Sequence, residues 1–366
     1  MKVVHAILGF HPQIGGAENQ AQLLVDELLR QGVNVEVFTR RYGEEDFLIT
    51  NGGVKVNRVW KAKGIASKEL SAIAIGVCVL FKRDPFEVIH VHQCNVLAFV
   101  MCIVAAIRRK PLFIKIANSG ENFDLKTLRM RPLGAFMART ILESKAYVIA
   151  LNRDIAREVL GMGVSPKRIV EIPNGVRLPR TEMVPTRKVN GKISVHIVGR
   201  LEETKSPFFV FEIAALLPHY QFNFYGSGTL EPRLRAYIRD LKVANVSLKG
   251  AEQDINVIYD TANLVLHPSK AEGMSNVLLE STVRGVPVVA RAIEANILMY
   301  KDFEYCSVLV DSDSPTMWAA AIDLALARSD ESGFEEATAK FRTRYSLSTV
   351  GAMVVAAYDR GVSQDS

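Results

Sequence analysis

The sequence repeats one pattern along most of its length: a short apolar run, a turn and an amphipathic helical segment. Strands that alternate with helices predict parallel sheets, because each new parallel strand is reached through a helical crossover. The apolar runs form two series, which a polar stretch separates. The predicted fold class is therefore α/β, with two Rossmann-like, doubly wound domains. Ligands of such sheets bind beyond the carboxyl ends of the strands, so two facing domains would enclose a cleft.

Each series of predicted strands is long enough for a domain of its own. The first series consists of Val3–Leu8, Val33–Thr39, Val54–Val59, Val88–His92, Leu112–Ala117, Tyr147–Leu151 and Ile169–Ile172. The second series consists of Ile193–Val198, Gln221–Tyr225, Val246–Lys249, Leu264–His267, Val286–Ala290 and Ser307–Val310. Between them, residues 173–191 are rich in Pro, Arg and Thr and lack periodicity, which predicts a linker. We place the first domain at 1–176, the linker at 177–191 and the second domain at 192–343. The tail, 344–366, carries an apolar helical stripe that could pack on either domain.

Composition narrows the class of protein. With 366 residues and 49% hydrophobic content, the chain can build two sizeable cores. The net charge of +6 favours an anionic partner, such as a nucleoside diphosphate, a phospholipid headgroup or nucleic acid. The four cysteines are not spaced as metal ligands, and no signal peptide is recognisable, which together favour a reducing cytoplasm.

Two apolar runs, Ser71–Phe81 and Val96–Ile107, are each too short to cross a bilayer as a helix. Lys and Arg follow both runs. Two interpretations stay open at this point: core helices whose C-terminal ends are solvated, or an interfacial anchor at a membrane surface.

An element with two carboxylates, Glu272-Gly-Met-Ser-Asn-Val-Leu-Leu-Glu280, follows the strand that ends at His267. Gly273 permits a sharp bend, and Ser275 or Asn276 can begin a helix. The N-terminal end of a helix suits a diphosphate, and carboxylates accept hydrogen bonds from hydroxyl groups. The element could thus hold a sugar at Glu272 and a ribose at Glu280, or it could be a surface loop followed by a buried helix.

Three other loops lie where predicted strands end. Gly15 and Gly16 precede the first helix and could let the backbone approach a phosphate, although the dinucleotide-binding spacing is absent. Arg200 and Lys205 could neutralise a diphosphate leaving group, unless Glu202 and Glu203 cancel their charge. Gly226 and Gly228 could offer backbone amides at the same end of the sheet, or they could simply form a turn.

Two further patterns could bind metal or substrate. Asp311-Ser-Asp313 matches a metal-binding pair, but the pattern is more typical of a cap on the next helix, through Asp313 or Ser314. His90 and His92 share one face of a strand, yet no further zinc ligands are spaced to join them. One of them could face the cleft as a hydrogen-bond donor, or both could be packed in the core.

Taken in order, these motifs resemble those of family 4 of the retaining glycosyltransferases, which have the GT-B fold. The resemblance extends over nearly the whole chain. The segments that carry it are Gly15-Gly-Ala-Glu18, Ile172-Pro-Asn-Gly-Val176, Gly199-Arg-Leu201 with Lys205, Tyr225-Gly-Ser-Gly228, His267-Pro-Ser269 and Glu272 to Glu280. It implies an acceptor-side first domain, a second domain that binds the nucleotide sugar, and a C-terminal helix that crosses back to the first domain.

The resemblance also implies a role for each motif. Arg200, Lys205 and Glu272 would be catalytic, with the two cations on the diphosphate and Glu272 on the donor sugar. Donor-binding positions would be Gly15, Gly16, Gly226, Gly228, Gly273, Met274, Ser275, Asn276 and Glu280. Many family members have a histidine where this chain has Asn118, so Asn118 or Ser119 could supply a hydrogen bond to the donor sugar instead. His92, if it faces the cleft, is a further candidate for contact with the sugar or acceptor. No metal or other cofactor is expected.

The sequence thus predicts a cytoplasmic, retaining and metal-independent hexosyltransferase, with peripheral contact at the inner membrane face as an option. It would move a sugar from a UDP- or GDP-linked donor to a glycan, lipid-linked or small-molecule acceptor in the synthesis of cell-surface polysaccharide or lipopolysaccharide. The resemblance implies no nucleic-acid partner. Two alternatives are a sugar-nucleotide epimerase on the same fold and a non-catalytic subunit of glycan assembly.

Overall fold

The computed structural model describes residues 1–11, 15–41, 47–49, 53–60, 67–118, 123–179, 192–241, 243–252 and 254–365. Contacts between backbone positions divide the chain into two compact units. Unit 1 consists of Met1–Gly175 and Leu347–Ser366, and unit 2 consists of Val176–Ser346. The predicted first domain extended one residue further, but the structure assigns Val176 to unit 2, where its side chain is buried in the core.

Unit 1 is built on one sheet. Its strands are β1 (Lys2–Ile7), β2 (Asn34–Arg40), β3 (Phe47–Ile49), β4 (Lys55–Val59), β5 (Val88–Val91), β6 (Leu112–Ile116), β7 (Tyr147–Ala150) and β8 (Ile169–Glu171). Within the described residues they lie in the order β3-β4-β2-β1-β5-β6-β7-β8. The sheet is parallel except for β3, which pairs antiparallel with β4.

Helices connect these strands. They are α1 (Gly16–Arg30), α2 (Ser67–Leu80), α3 (Val96–Arg108), α4 (Asp124–Arg129), α5 (Gly134–Glu143) and α6 (Arg153–Gly161). One core cluster of the unit joins β1, β2 and α1 to the last helix of the chain, which buries Val350, Val354 and Tyr358 there. Apolar residues four positions apart on that helix place one stripe against the sheet.

Unit 2 has a parallel sheet of its own. Its strands are β9 (Ser194–Val198), β10 (Gln221–Tyr225), β11 (Val246–Gly250), β12 (Leu264–His267), β13 (Val288–Arg291) and β14 (Ser307–Val310). In the described part of the unit their order is β11-β10-β9-β12-β13-β14. Its helices are α7 (Pro207–Leu216), α8 (Glu231–Leu241), α9 (Ile255–Tyr259), α10 (Asn276–Val283), α11 (Glu294–Tyr300), α12 (Pro315–Arg328) and α13 (Ser332–Tyr345). Helix α14 (Leu347–Asp365) then belongs to unit 1.

The strand order shows how unit 2 creates a binding edge. From β9 the chain proceeds outward through β10 to β11, and then returns to the other side of β9 with β12. The order therefore reverses between β9 and β12, and the loops after these two strands lie at the switch point where ligands of open α/β sheets bind. Each predicted strand has an observed counterpart; β3 had not been predicted. Among the described residues, no helix is both long and apolar enough to span a membrane.

Candidate functional site

Glycines let the loops after β9 and β10 pack against each other. Gly199 and Gly226 have φ of +142° and +138°, which side chains rarely permit. A Cβ atom on Gly226 would collide with the carbonyl oxygen of Gly199, and one on Gly228 with the backbone of Leu201. The amide of Gly226 donates to the carbonyl of Gly250 at 2.7 Å. The close backbone approach and this hydrogen bond give Gly226 a structural reason, and its assignment to the donor site stays a prediction.

Lys205 ends a short 3-10 turn, Glu203–Lys205, in the loop after β9. The neighbouring acids do not pair with it. Glu202 accepts a hydrogen bond from the Thr229 hydroxyl at 2.7 Å, and Glu203 pairs with Arg233 at 3.4 Å. Arg200 is exposed. Hydrogen bonds from Thr229 and, after them, the charge of Arg200 lower the pKa of Glu202. Of the two interpretations left open for this loop, cancellation of the Lys205 charge by Glu202 and Glu203 is therefore wrong.

The partner of Lys205 is Glu272. One carboxylate oxygen, Oε1, accepts hydrogen bonds from Lys205 Nζ and from His267 Nε2, the latter at 3.0 Å. Burial works to raise the pKa of Glu272, but hydrogen bonds and charges from His267 and Lys205 outweigh burial and lower the pKa to about 2. Glu272 is therefore ionised at neutral pH. Among the described residues, no hydrogen bond reaches its second oxygen, Oε2, and the side chain keeps 13% of its surface exposed.

The segment after Glu272 leads into α10. Ser275 occupies the N-cap position, yet its hydroxyl does not cap the helix and instead lies 3.3 Å from His267 Nε2. Of the two predicted caps, Ser275 or Asn276, the structure has Ser275 at the N-cap position, without a side-chain hydrogen bond to the helix. Gly273 is buried and Met274 packs partly against the core, while Asn276 is the first residue of the helix. These positions form a tight turn between the ionised carboxylate and a helix N-terminus.

Glu280 lies one turn into α10. Its Oε2 accepts a hydrogen bond from the Tyr259 hydroxyl at 2.9 Å, and the guanidinium of Arg284 lies over the Tyr259 ring. Burial raises the pKa of Glu280, against the hydrogen bond from Tyr259 and the charge of Arg284, which lower it. The two glutamates of the element therefore differ in their environment, because Glu272 accepts a hydrogen bond from the Lys205 ammonium, whereas the hydrogen bond to Glu280 comes from a tyrosine hydroxyl.

The other predicted positions lie on unit 1. Gly15 is the N-cap of α1, and Gly16 is its first residue. The Glu18 side chain folds back toward this turn, so that a Cβ atom on Gly9 or Gly15 would collide with its carboxylate. The Glu18 carboxylate therefore lies beside Gly9 and Gly15 and complements the positive end of the helix dipole, and the use of Gly15 and Gly16 for a phosphate stays a prediction.

Asn118 follows β6 and is exposed. Its amide nitrogen donates to Asp124 Oδ1 at 2.7 Å, while the other oxygen of Asp124 accepts from the amide of Ala117 at 2.8 Å. Asp124 thus holds Ala117 and Asn118 at the end of β6. Ser119, the other candidate in this loop, lies outside the described residues.

His92 is not a surface group. It is 2% exposed, and its Nε2 lies 2.8 Å from Nδ1 of His5. The neighbouring His90 contacts the Tyr358 hydroxyl of α14 at 2.5 Å, and the same hydroxyl lies 3.3 Å from His5 Nε2. Burial lowers the pKa of His5 to about 3 and those of the other two histidines well below the usual value. The prediction that His92 contacts sugar or acceptor is therefore wrong: the ring belongs to an uncharged core cluster.

The Asp311–Asp313 pattern does not cap α12 with a side chain. Ser314 is the N-cap residue without a side-chain hydrogen bond, and Asp313 pairs with Arg291 at 2.8 Å. Within the described part of the chain, no group of three or more His, Cys, Asp or Glu side chains is placed to hold a metal ion.

The structure thus brings three predicted residues or segments together in unit 2: Lys205, Glu272 and the turn into α10. It adds His267, which the sequence indicated as the end of a strand and as part of the His267-Pro-Ser269 segment, without a role at the site. A histidine at the carboxyl end of a parallel strand, five residues before an acid, is a signal that could have identified it. The arrangement can fix an ionised carboxylate, present its second oxygen to a hydroxyl donor and place a cation beside it.

Two Rossmann-like α/β units in one chain define the class of fold, and solved structures share it. The chain matches the crystal structure of Anabaena Alr3699/HepE in complex with UDP and glucose with a TM-score of 0.78, at 19% identity over 98% of this chain and 99% of that one. Two family models match in succession: a glycosyl transferase 4-like domain over residues 15–175 and glycosyl transferases group 1 over residues 180–341. The chain belongs to this group 1 glycosyltransferase family, of GT-B fold, which confirms both the predicted family and the predicted fold class.

Two relatives that match by sequence have named activities. One is a phosphatidylinositol N-acetylglucosaminyltransferase subunit of Arabidopsis thaliana, which is 23% identical over 371 residues, covering 96% of this chain and 80% of the relative. The other is the D-inositol 3-phosphate glycosyltransferase of Kineococcus radiotolerans, which is 26% identical over 357 residues, covering 84% of this chain and 81% of the relative.

Proposed function

We propose that this chain is a retaining glycosyltransferase that moves a sugar from a nucleoside-diphosphate donor to an acceptor hydroxyl without a metal ion. The observation that carries the proposal is the environment of Glu272. Lys205 and His267 hold one oxygen of an ionised carboxylate, and the other oxygen can accept a hydrogen bond from a donor-sugar hydroxyl. The family to which the chain belongs supports this assignment.

Lys205 would serve the sugar and the phosphates at once. An ammonium group has three donors, of which one is used on Glu272, so two remain for the diphosphate. Arg200, exposed on the same loop, would add a second cation. The start of α10 would contribute its helix dipole, and Glu280 would accept hydrogen bonds from the ribose hydroxyls. The complex of the Anabaena protein with UDP and glucose supports a uridine donor, ahead of a guanosine donor.

The chemistry follows from where charge develops. As the bond from the anomeric carbon to the diphosphate breaks, negative charge grows on the leaving oxygen, and Lys205 and Arg200 would stabilise it. The acceptor oxygen would form its bond to the anomeric carbon on the same face, and the leaving phosphate would take the acceptor proton. The configuration is then retained, and no nucleophile of the protein is needed.

The acceptor would be a lipid-linked molecule, a glycan or a small polyhydroxyl molecule. The enzyme would act on it at the cytoplasmic side of a membrane, in the synthesis of cell-surface polysaccharide or lipopolysaccharide. Two relatives are named for phosphatidylinositol and D-inositol 3-phosphate, which supports a hydroxyl acceptor that carries phosphate.

The test measures the rates at which wild type, Glu272→Ala and Lys205→Ala hydrolyse a panel of UDP- and GDP-sugars or transfer their sugar. EDTA is present throughout, so that no free metal ion can take part. Glu203→Ala is the matched control, because it removes an exposed charge from the same turn as Lys205. We expect a loss of at least about 100-fold in the two site variants and none in the control. Full activity in both site variants would refute the site assignment.

The same assay separates the alternatives. Free nucleoside diphosphate as the product supports transfer, whereas an epimerised sugar nucleotide without any acceptor would identify an epimerase. If no nucleotide raises the melting temperature, the chain is a non-catalytic subunit, since a ligand at 100 to 1,000 times its dissociation constant stabilises by about 3–4 kcal/mol.

A further inference from the structure

Helix α2 of unit 1 is apolar on two faces. Its buried face includes Ala72, Ile75 and Val79. A second stripe, spaced by three or four residues, points to solvent: Leu70, Ile73, Val77 and, just beyond the helix, Phe81, whose surfaces are 48%, 53%, 49% and 74% exposed. Three-to-four-residue spacing places these side chains on one side of the helix. A soluble surface helix normally carries polar groups there.

The exposed stripe continues onto neighbouring helices. Gly76 lets α2 pack closely against Val100 of α3, where a Cβ atom would collide with the valine. Helix α3 exposes Ile103 and Ile107. One turn earlier, the ring of its Phe99 packs edge to face on the ring of Phe136 of α5, with 5.8 Å between the ring centroids.

Three more apolar side chains extend this surface at α5 and the turn before it. Phe136, Met130 and Leu133 are 61%, 87% and 78% exposed. We call the exposed apolar surface of α2, α3 and α5 the outer face. The exposed apolar side chains thus lie on three helices that pack against one another, and an apolar surface of this kind marks an interaction site.

Basic residues surround the outer face. The guanidinium of Arg108 donates hydrogen bonds to the carbonyl oxygens of Leu80 and Lys82, so the C-terminal ends of α2 and α3 lie side by side. Arg83 and Arg109 are exposed there, next to Phe81 and Ile107 in sequence. This end of the face therefore combines aromatic and aliphatic side chains with positive charge.

The opposite end of α2 is basic as well. Lys68 is exposed at its start, and Arg129 and Arg131 precede α5. Three acids around the face are each paired with a cation: Glu69 with Arg131 at 3.0 Å, Asp84 with Lys82 at 3.3 Å, and Glu143 with Arg139 at 2.7 Å. The surroundings of the face therefore carry a net positive charge.

The charge around the outer face distinguishes between two possible partners, a second copy of the chain and a lipid bilayer. A second copy of the chain would bring the same basic rim against this one, and like charges oppose such an interface. An anionic bilayer matches the rim and admits the exposed apolar side chains below its headgroups, which is the pattern of interfacial helices. We propose that the outer face docks onto a membrane surface rich in anionic lipid. The proposal rests on the proposed function, for which it would hold the enzyme next to a lipid-linked acceptor.

The experiment measures binding of the full chain to vesicles of phosphatidylcholine alone and with about one third phosphatidylglycerol. The apolar variant is Ile73→Ser with Phe81→Ser and Ile107→Ser, and the charge variant is Arg83→Glu with Arg109→Glu. The control, Met317→Ser with Leu324→Ser, changes exposed apolar residues of α12 in unit 2. We expect the wild type to bind anionic vesicles at least about tenfold more tightly than neutral ones, both face variants to lose at least about tenfold, and the control to bind as wild type.

Three results would overturn the proposal: no binding by the wild type, unchanged binding by both face variants, or a wild-type dimer without vesicles that the face variants dissociate. Hydrolysis of the sugar nucleotide by water, measured without vesicles, keeps the two proposals separate. Face variants that hydrolyse the donor normally but do not bind vesicles support docking. Vesicle binding by a wild type that acts on no sugar nucleotide would leave docking in place and refute the proposed function.

Discussion

The environment of Glu272 makes a quantitative prediction for Glu272→Gln. In the folded chain the pKa of this carboxyl is lowered from 4.5 to about 2, and each unit corresponds to about 1.4 kcal/mol. The fold therefore favours the ionised form by about 3 kcal/mol. Because the folded pKa lies below the unfolded one, this stability is present above pH 4.5 and is lost as the pH falls toward 2. The amide has no such dependence.

We therefore expect the difference in unfolding free energy between wild type and Glu272→Gln to shrink by about 2 kcal/mol between pH 7 and pH 3. Comparing the two proteins at each pH cancels the titrating groups that do not contact Glu272. Trp318 is fully buried in unit 2, so its fluorescence reports unfolding of that unit, and Trp60→Phe in every variant removes the second of the two tryptophans. Denaturant titrations at a series of pH values supply the free energies.

Glu203→Gln is the control for this measurement. Its carboxylate is 73% exposed and pairs with an exposed arginine, so its removal should change stability by less than about 1 kcal/mol at any pH. A wild-type advantage over Glu272→Gln that is the same at pH 3 and pH 7 would refute the reasoning, because it would mean that Lys205 and His267 do not hold the charge.

Three other substitutions test the described contacts. Gly228→Ala should destabilise unit 2 by about 1–3 kcal/mol, since the new Cβ meets the Leu201 backbone; an unchanged melting temperature would contradict the close approach. Tyr358→Phe should lower the free energy of unfolding, measured by denaturant titration, by about 1–3 kcal/mol, because it leaves His90 without its hydroxyl partner. Equal stability of the two proteins would argue against that hydrogen bond. Glu280→Gln should weaken UDP binding at least about tenfold by calorimetry, whereas an unaltered dissociation constant would remove Glu280 from the donor site.

Strand positions could be predicted because parallel strands buried on both faces are nearly continuous apolar runs. Each predicted strand has a counterpart, such as Gln221–Tyr225 with the same bounds. Strand β3 was missed because three residues that pair antiparallel at a sheet edge are too short to give a periodic signal.

Side-chain partners across the fold could not be predicted. The spacing of His90 and His92 placed both on one face of a strand, but their partners come from β1 and from a helix 268 positions further along the chain. The two histidines are buried by tertiary packing, and their two-residue spacing in the sequence does not predict that packing. Glu272 was identified as a site residue from its motif, whereas its pairing with Lys205 and His267 depends on the switch point between β9 and β12.

The route of the chain has a consequence for the order of folding. Unit 2 begins at Val176 and ends at Ser346, and these residues form an isolated parallel bridge, next to a hydrogen bond from Val176 to Tyr345. All of unit 2 is therefore translated between the first 175 residues of unit 1 and helix α14, which completes unit 1. Unit 1 thus begins first and is completed last, because its core includes Val350, Val354 and Tyr358 of α14, and the apolar surface that receives them stays uncovered until that helix packs.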